Sequence, residues 1–319
     1  MTTIKPLRVL MTGASSGIGL EAARQLNAAG HHLNLICRNT DRANQVAMQI
    51  DNNANLIVVD LADLQAVIDL ADTLLQSKQC FDVLVLNAGL QYAGHQKART
   101  NAQGIELTYA VNHLAHHVLA SKLIRNTCRV VITASEVHNP ATAGGKVGPP
   151  AGLGTMAGLN DGHNGAAMVD GITPFNADKA YKDSKLCNML MGLELSKQHP
   201  DKPVICWSPG LVIPRSNTGF FRESRKANPI GQIIFAFLAR DLFRITESPE
   251  QAGEYLKQLI LDPSIPNGLS YWSNNLLGPG RHRFERTSTS DEAADPSKAK
   301  DLWQMSETQI RAGLAAIND

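Results

Sequence analysis

The chain has 319 residues, 43% of them apolar and 18% charged, so it can bury a large core and is not a disordered polymer. Lys and Arg total 30 against 29 Asp and Glu, a net charge of +1. That balance excludes non-specific nucleic-acid binding, which needs a basic surplus, and leaves room for a local anion pocket. Five cysteines (Cys37, Cys80, Cys128, Cys187 and Cys206) are odd in number and contain no C-x-x-C. They read as reduced thiols of a cytoplasmic protein. A single domain over residues 1–319 is expected, because one α/β unit can reach this length.

The first strand, Arg8–Met11, begins so early that no signal or transit peptide is expected before it. Thr12-Gly13-Ala14-Ser15-Ser16-Gly17-Ile18-Gly19 follows, then a helical pattern from Gly19 to Ala29 ended by Gly30. Glycines at 13, 17 and 19 permit a tight turn and close backbone approach to a pyrophosphate on the helix N-terminus. Gly13, Ser15, Ser16, Gly17, Ile18 and Gly19 are therefore cofactor-binding candidates. The second strand, His32–Cys37, ends in Arg38-Asn39, with Arg42 one helical turn on. A site for NAD would carry an acidic residue here; arginine instead suits a 2′-phosphate, so the expected cofactor is NADPH. After the third strand, Asn55–Val59, Asp60-Leu61 can meet the adenine. After the fourth, Val83–Leu86, Asn87-Ala88-Gly89 closes the same edge.

Asn112 lies in Val111-Asn112-His113 and could hold a water linking Lys185 to solvent. His116 and His117 are adjacent, face different ways on a helix, and lack the spacing of a metal site. The fifth strand, Arg129–Thr133, leads to Ser135, whose hydroxyl can orient a substrate oxygen. Asn139–Asp178 is rich in Gly, Ala, Pro and Asn, and a loop of that length is expected to be functional. Next comes Tyr181-x-x-x-Lys185. On a helix these two share a face, and the ammonium can stabilise a tyrosinate, making the phenol a proton donor near neutral pH. The sixth strand, Pro203–Trp207, precedes Pro209-Gly210-Leu211. Pro214–Thr246 reads as a helical lid, with Phe220, Phe221, Phe235, Phe237 and Phe243 as apolar surface. Its apolar run Ile230–Ala239 is too short to span a bilayer but suits a membrane surface or a second copy of the chain. Arg281–Lys298 reads as a polar surface excursion, and a final amphipathic helix runs from about Ser297 to Ala316. Strand and helix alternate throughout, which gives a doubly wound, parallel α/β Rossmann sheet.

As an ordered set, the glycine turn, Asn87-Ala88-Gly89, Asn112, Ser135 and Y-x-x-x-K resemble the short-chain dehydrogenase/reductase superfamily over about residues 5–215. The resemblance implies an Asn112–Ser135–Tyr181–Lys185 tetrad, with Tyr181, Lys185, Pro209 and Gly210 also touching the cofactor. Ser135 and Tyr181 stand 46 positions apart, much further than in most of the superfamily. Gly144-Gly145-Lys146-Val147-Gly148-Pro149-Pro150 and Lys179-Ala180-Tyr181-Lys182-Asp183-Ser184-Lys185-Leu186-Cys187-Asn188 are similar to the light-dependent protochlorophyllide oxidoreductases, whereas retinol-dehydrogenase-like chains carry Ala at position 187. Thr218–Arg222, Glu250–Glu254, Leu269–Ser273 and Ala299–Glu307 extend the likeness nearly end to end. This family implies light-driven hydride transfer from NADPH to the C17=C18 bond of protochlorophyllide. A flat apolar macrocycle with a carboxylate needs a wide apolar pocket, which makes Leu211, Phe220, Phe221 and Cys187 candidates at the pigment and Arg215, Arg222 or Arg225 candidates at its propionate, with helix packing as the other reading of Cys187; the protein is expected in the cytoplasm or at the periphery of photosynthetic membranes. Two departures stand out: Leu211 replaces the family's usual cysteine and cannot donate a proton, and Ser135 replaces its threonine. Two other readings are a dark NADPH-dependent carbonyl reductase of a bulky apolar aldehyde or ketone, and a non-catalytic pigment carrier.

Overall fold

Short runs of β-branched and aliphatic residues, apolar on consecutive positions, must be covered from both sides, and this sets the layers of the molecule. The computed structural model describes residues 5–50, 54–159, 168–213 and 220–318. In chain order the main elements are β1 (Arg8–Thr12), α1 (Gly17–Ala28), β2 (His32–Cys37), α2 (Thr40–Ala47), β3 (Ala54–Val58), α3 (Leu64–Gln76) and β4 (Phe81–Leu86). A short α4 (Leu107–Tyr109) runs through a π-helical turn (Ala110–Leu114) into α5 (Ala115–Leu123). Then come β5 (Thr127–Thr133), α6 (Ala177–Gln198), β6 (Pro203–Ser208), α7 (Arg222–Ala227), α8 (Pro229–Ala236), α9 (Pro249–Leu261), β7 (Gly268–Gly278), β8 (Arg281–Arg286) and α10 (Pro296–Asn318).

One eight-stranded sheet has the order β3-β2-β1-β4-β5-β6-β7-β8. Its first seven strands are parallel and β8 runs antiparallel to β7. Strand order reverses between β1 and β4, so the crevice at their carboxyl ends is the topological switch point where an α/β sheet binds ligands. On one face α3, α5, α6 and α10 enclose a core that includes Leu84, Leu119, Leu190 and Leu302. On the other, α1, α2 and α9 cover Val9, Leu35, Ile205 and Trp207.

The structure corrects one expectation and details two others. Arg281–Lys298 is not a surface excursion: it opens with β8, whose Phe284 turns inward onto Trp207, Trp272 and Tyr255 between outward Arg283 and Glu285. The sheet is accordingly not all parallel. The described part of 139–176 is a loop of turns and irregular chain, but a packed one, with Ala151, Leu153, Met156, Leu159, Met168 and Val169 buried. Lys182 Nζ donates to the carbonyls of Gly145 and Val147 at 3.0 and 2.6 Å and so pins this segment to α6. Of the lid, residues 220–246 are described; Arg215, Thr218 and Gly219 lie outside the described residues. The lid leaves and rejoins the sheet through a bridge between Val212 and Glu247. Among the described residues no helix is long and apolar enough to cross a membrane.

Candidate active site

The turn after β1 is built without room for side chains. Gly13 has φ +72°, and a Cβ there would stand 2.6 Å from Ala88 Cα; one on Gly19 would stand 2.3 Å from the Gly13 carbonyl oxygen. Gly17, at φ +56°, has open space beyond its Cα. Ser16 caps α1 in extended conformation with no side-chain hydrogen bond to the helix, so the first-turn N–H groups point outward unclaimed. Gly17 and these amides form a cradle that fits the pyrophosphate of a dinucleotide. Ser15 and Ile18 flank it, half-buried.

Asn87 and Ala88 complete the edge. Asn87 Nδ2 donates to the Thr12 and Gly13 carbonyls at 3.3 Å each. Its Oδ1 accepts from Thr133 Oγ1 at 3.1 Å, which in turn accepts from Trp207 Nε1 at 2.9 Å. Gly89 leaves a gap in front of Lys185, where a Cβ would meet Nζ at 3.5 Å. Arg38 is exposed at the end of β2, well placed for a 2′-phosphate. Asn39 Oδ1 instead caps α2 at the Arg42 amide, and the Arg42 guanidinium bonds Gln45 Oε1 at 2.8 Å. Asp60 Oδ1 accepts from the Ala62 amide, and the Leu61 side chain is buried in the core, so only the Leu61 main chain can face a ligand.

The tetrad converges where α6 crosses the ends of β4 and β5. Ser135 bonds the Tyr181 hydroxyl, and this pulls the phenol's pKa down while burial pushes it further up. Lys185 is 2% exposed and donates to the Thr133 carbonyl at 3.0 Å, with Nζ 5.7 Å from the Tyr181 ring centroid. Burial lowers its pKa to about 8. Desolvation thus outweighs the expected tyrosinate stabilisation, and the phenol is held protonated, as a proton donor must be. Asn112 is fully buried beside them. Its Oδ1 accepts from the Leu90 amide at 2.8 Å, and its Nδ2 donates to the Leu90 carbonyl and Ser184 Oγ at 3.0 Å each. The side chain is a strut between the loop after β4 and α6, and its Oδ1 also borders the Gly89 gap in front of Lys185.

Over Tyr181 sits the Phe220 ring, 5.1 Å away between centroids, with Phe221 edge-on to Phe220 at 5.1 Å. Arg99 reaches Glu223 at 3.4 Å and ties the loop after β4 to α7. Behind Tyr181, Pro209-Gly210-Leu211 is held by Asn274 Nδ2 on the Pro209 carbonyl at 3.2 Å and by the Leu211 carbonyl accepting the Glu247 amide at 2.8 Å. Gly210 needs φ +74°. Leu211 is half-buried. Cys187, a candidate at the pigment, is instead fully buried in the core, because two residues past Lys185 the helix presents its opposite side.

Sequence reasoning missed Thr12, Thr133, Ser184 and Ser208. Thr12 Oγ1 accepts from the Asn87 and Ala88 amides at 2.9 Å each. Ser208 Oγ accepts from the Glu136 amide at 2.9 Å and the Gly210 amide at 3.3 Å, linking the Ser135 turn to the loop after β6. The only signal for either was a hydroxyl at the last position of a buried strand.

Residues 8–145 match the family model described as short chain dehydrogenase. Protochlorophyllide reductase from Avena sativa is 35% identical over 324 residues, covering 96% of this chain and 100% of that one. Protochlorophyllide reductase A, chloroplastic, from Triticum aestivum is 34% identical over 98% of this chain and 82% of its own. Among solved structures, an uncharacterized protein from Mycobacterium paratuberculosis superposes with TM-score 0.68 at 21% identity over 96% of this chain and 93% of that one. L-Sorbose reductase from Gluconobacter frateurii, complexed with NADPH and L-sorbose, gives TM-score 0.61 at 18% identity, covering 87% and 98%. At those identities the structural likeness speaks for the fold alone.

Proposed function

This chain belongs to the protochlorophyllide reductase family of short-chain dehydrogenases, and from that membership we propose that it is an NADPH-dependent oxidoreductase that reduces protochlorophyllide to chlorophyllide when the pigment absorbs light. The observation that carries the reading is the Tyr181 phenol, bonded by Ser135 and roofed by Phe220, beside a glycine cradle that fits a dinucleotide. NADPH supplies a hydride when bound. Its residues here are the Gly13–Gly19 turn for the pyrophosphate, Arg38 for the 2′-phosphate, the Asn87–Gly89 edge, and Lys185 for the ribose.

Tyr181 then gives its proton to the reduced pigment, and the site needs no thiol for this. Leu211 supplies apolar surface where a cysteine is usual in the family. Ser135 holds the phenol's orientation, and Lys185 offers a cation to the tyrosinate left behind. Phe220 and Phe221 give a flat macrocycle a stacking wall and keep water from the donor. Arg222 and Arg225 on the lid side are the described candidates for the pigment's carboxylate. The exposed apolar face of α8 is assigned to a membrane surface or a second copy of the chain.

The test is one flash. Purified protein, NADPH and protochlorophyllide are mixed in darkness, illuminated once, and followed by absorption. Conversion to the chlorophyllide band after light supports the reading, and Tyr181→Phe should slow it by ~10²–10⁴-fold with NADPH binding kept. Pigment bound without conversion in the wild-type chain would overturn Tyr181 as sufficient donor. NADPH oxidation in darkness with bulky aldehydes would favour a carbonyl reductase instead, the reading that Leu211 and Ser135 would suit.

A further inference from the structure

One buried histidine, outside the tetrad, links Asn112 to the turn after β1. The helix entering the site widens at Ala110–Leu114, where the Ala115 amide reaches back five residues to the Ala110 carbonyl. At this turn the Asn112 carbonyl is met by a side chain, His116 Nδ1, at 3.0 Å. A carbonyl carries no proton, so Nδ1 is the protonated nitrogen and Nε2 presents a lone pair. Nε2 lies 3.0 Å from Thr12 Oγ1. That hydroxyl already accepts from the Asn87 and Ala88 amides at 2.9 Å, so its own hydrogen is free to donate. His116 Nε2 is nearer than the alternative acceptor, the Val85 carbonyl at 3.4 Å. Thr12, Asn112 and His116 are all 0% exposed, so each of these groups must find its partner within the protein.

We propose that His116 is a positioning residue: locked as the neutral Nδ1–H tautomer, it orients the Thr12 hydroxyl under the dinucleotide turn and fixes the backbone of Asn112 at the head of α5. The chain of donors then runs in one direction, from the Asn87 and Ala88 amides to Thr12, from Thr12 to His116, and from His116 to Asn112. Asn112 passes the constraint on to Leu90 and Ser184, and Ser184 Oγ donates to the Tyr181 carbonyl at 2.6 Å. An imidazolium could not accept from Thr12. Burial first, then Lys185 and His113, holds the ring's pKa down to about 3, so the acceptor persists at any pH at which the enzyme works.

This rests on the reading that the site takes NADPH, and the experiment separates the two. NADPH affinity is measured in darkness, without pigment, from the fluorescence of the bound nicotinamide. His116→Phe keeps a ring and loses both bonds; it should weaken NADPH binding by about tenfold. His116→Gln places an acceptor near Nε2 and should restore most of the affinity, whereas His116→Asn replaces only the Nδ1 donor and should not. Histidine ring NMR of the wild-type protein, assigned by difference against His116→Gln, should show the Nδ1–H tautomer unchanged from pH 5 to 9. Three variants that bind NADPH like the wild type while melting earlier would reduce His116 to packing and overturn the proposal, as would an Nε2–H tautomer. If the wild-type chain binds no NADPH, the cofactor reading fails, and the tautomer alone still decides the role of His116.

Discussion

Two glycines of the same turn differ in what surrounds them, and the difference sets their tolerance. Gly19→Ala would drive a methyl to 2.3 Å from the Gly13 carbonyl and 2.5 Å from Asn87 Nδ2, so the turn must shift. A displacement of that order is expected to weaken NADPH binding by ~100-fold and to lower thermal stability as well. Gly17→Ala meets nothing within 4 Å; it costs ~1–2 kcal/mol for its left-handed backbone, and its methyl fills the cradle. Equal stability losses for the two variants would contradict this account. Lys185 gives a pH signature. With its pKa lowered to about 8 by burial, kcat/KM should fall above that pH as the cation is lost. Lys185→Arg should abolish the fall up to pH 10 even if turnover drops, because guanidinium keeps its proton. The same shift acts on stability. Between about 8 and the ordinary 10.5 the unfolded chain holds a proton the folded one has released, so this group makes stability rise with pH across that window.

At the scale of elements, the segment between Ser135 and α6 is held by charge. Lys179 Nζ bonds Asp170 at 2.7 Å, Asp183 at 2.6 Å and the Gly152 carbonyl at 2.8 Å. The Asp183 side chain is 0% exposed, and burial raises its pKa to about 6 even with the lysine beside it. Lys179→Met strands that carboxylate and is expected to cost ~3–5 kcal/mol by chemical denaturation at pH 8. The loss should shrink at pH 5, where Asp183 takes a proton and no charge is buried. A pH-independent loss would mean that the lysine acts by packing alone. The sequence suggested a functional loop here from its glycine and proline content. It did not reveal the clamp, because Asp170 and Lys179 look like ordinary surface charges until the fold brings them together. Helix α6 itself is legible through its i, i+4 pair, and of the two readings of Cys187, pigment contact and packing, its burial supports packing.

At the scale of the whole molecule, exposed apolar side chains of the described residues gather on α8. Ile230, Ile233 and Phe237 are 72%, 68% and 56% exposed on α8 and the turn after it. Adjoining apolar side chains at this exposure mark a face that something covers. Ile233→Glu with Phe237→Glu should leave the melting temperature nearly unchanged, since neither side chain is in the core. It should abolish either flotation with lipid vesicles or concentration-dependent sedimentation, whichever the wild-type chain shows. A wild-type chain that does neither would leave the face without a docking role.

The sequence by itself determined the alternation of strand and helix, the glycine turn and the tyrosine–lysine pair, because each is a local pattern with a period or a fixed spacing. It also carried the family, in strings such as Lys179-Ala180-Tyr181-Lys182-Asp183-Ser184-Lys185. Only the tertiary structure decided that Phe284 makes an eighth strand, that Leu61 and Cys187 face the core, and that Asn112 is a strut. It alone joined Thr12 to His116 across 104 positions of chain. Those facts depend on which buried polar groups meet, and a hydrogen bond between distant residues leaves no periodic trace in the sequence that forms it.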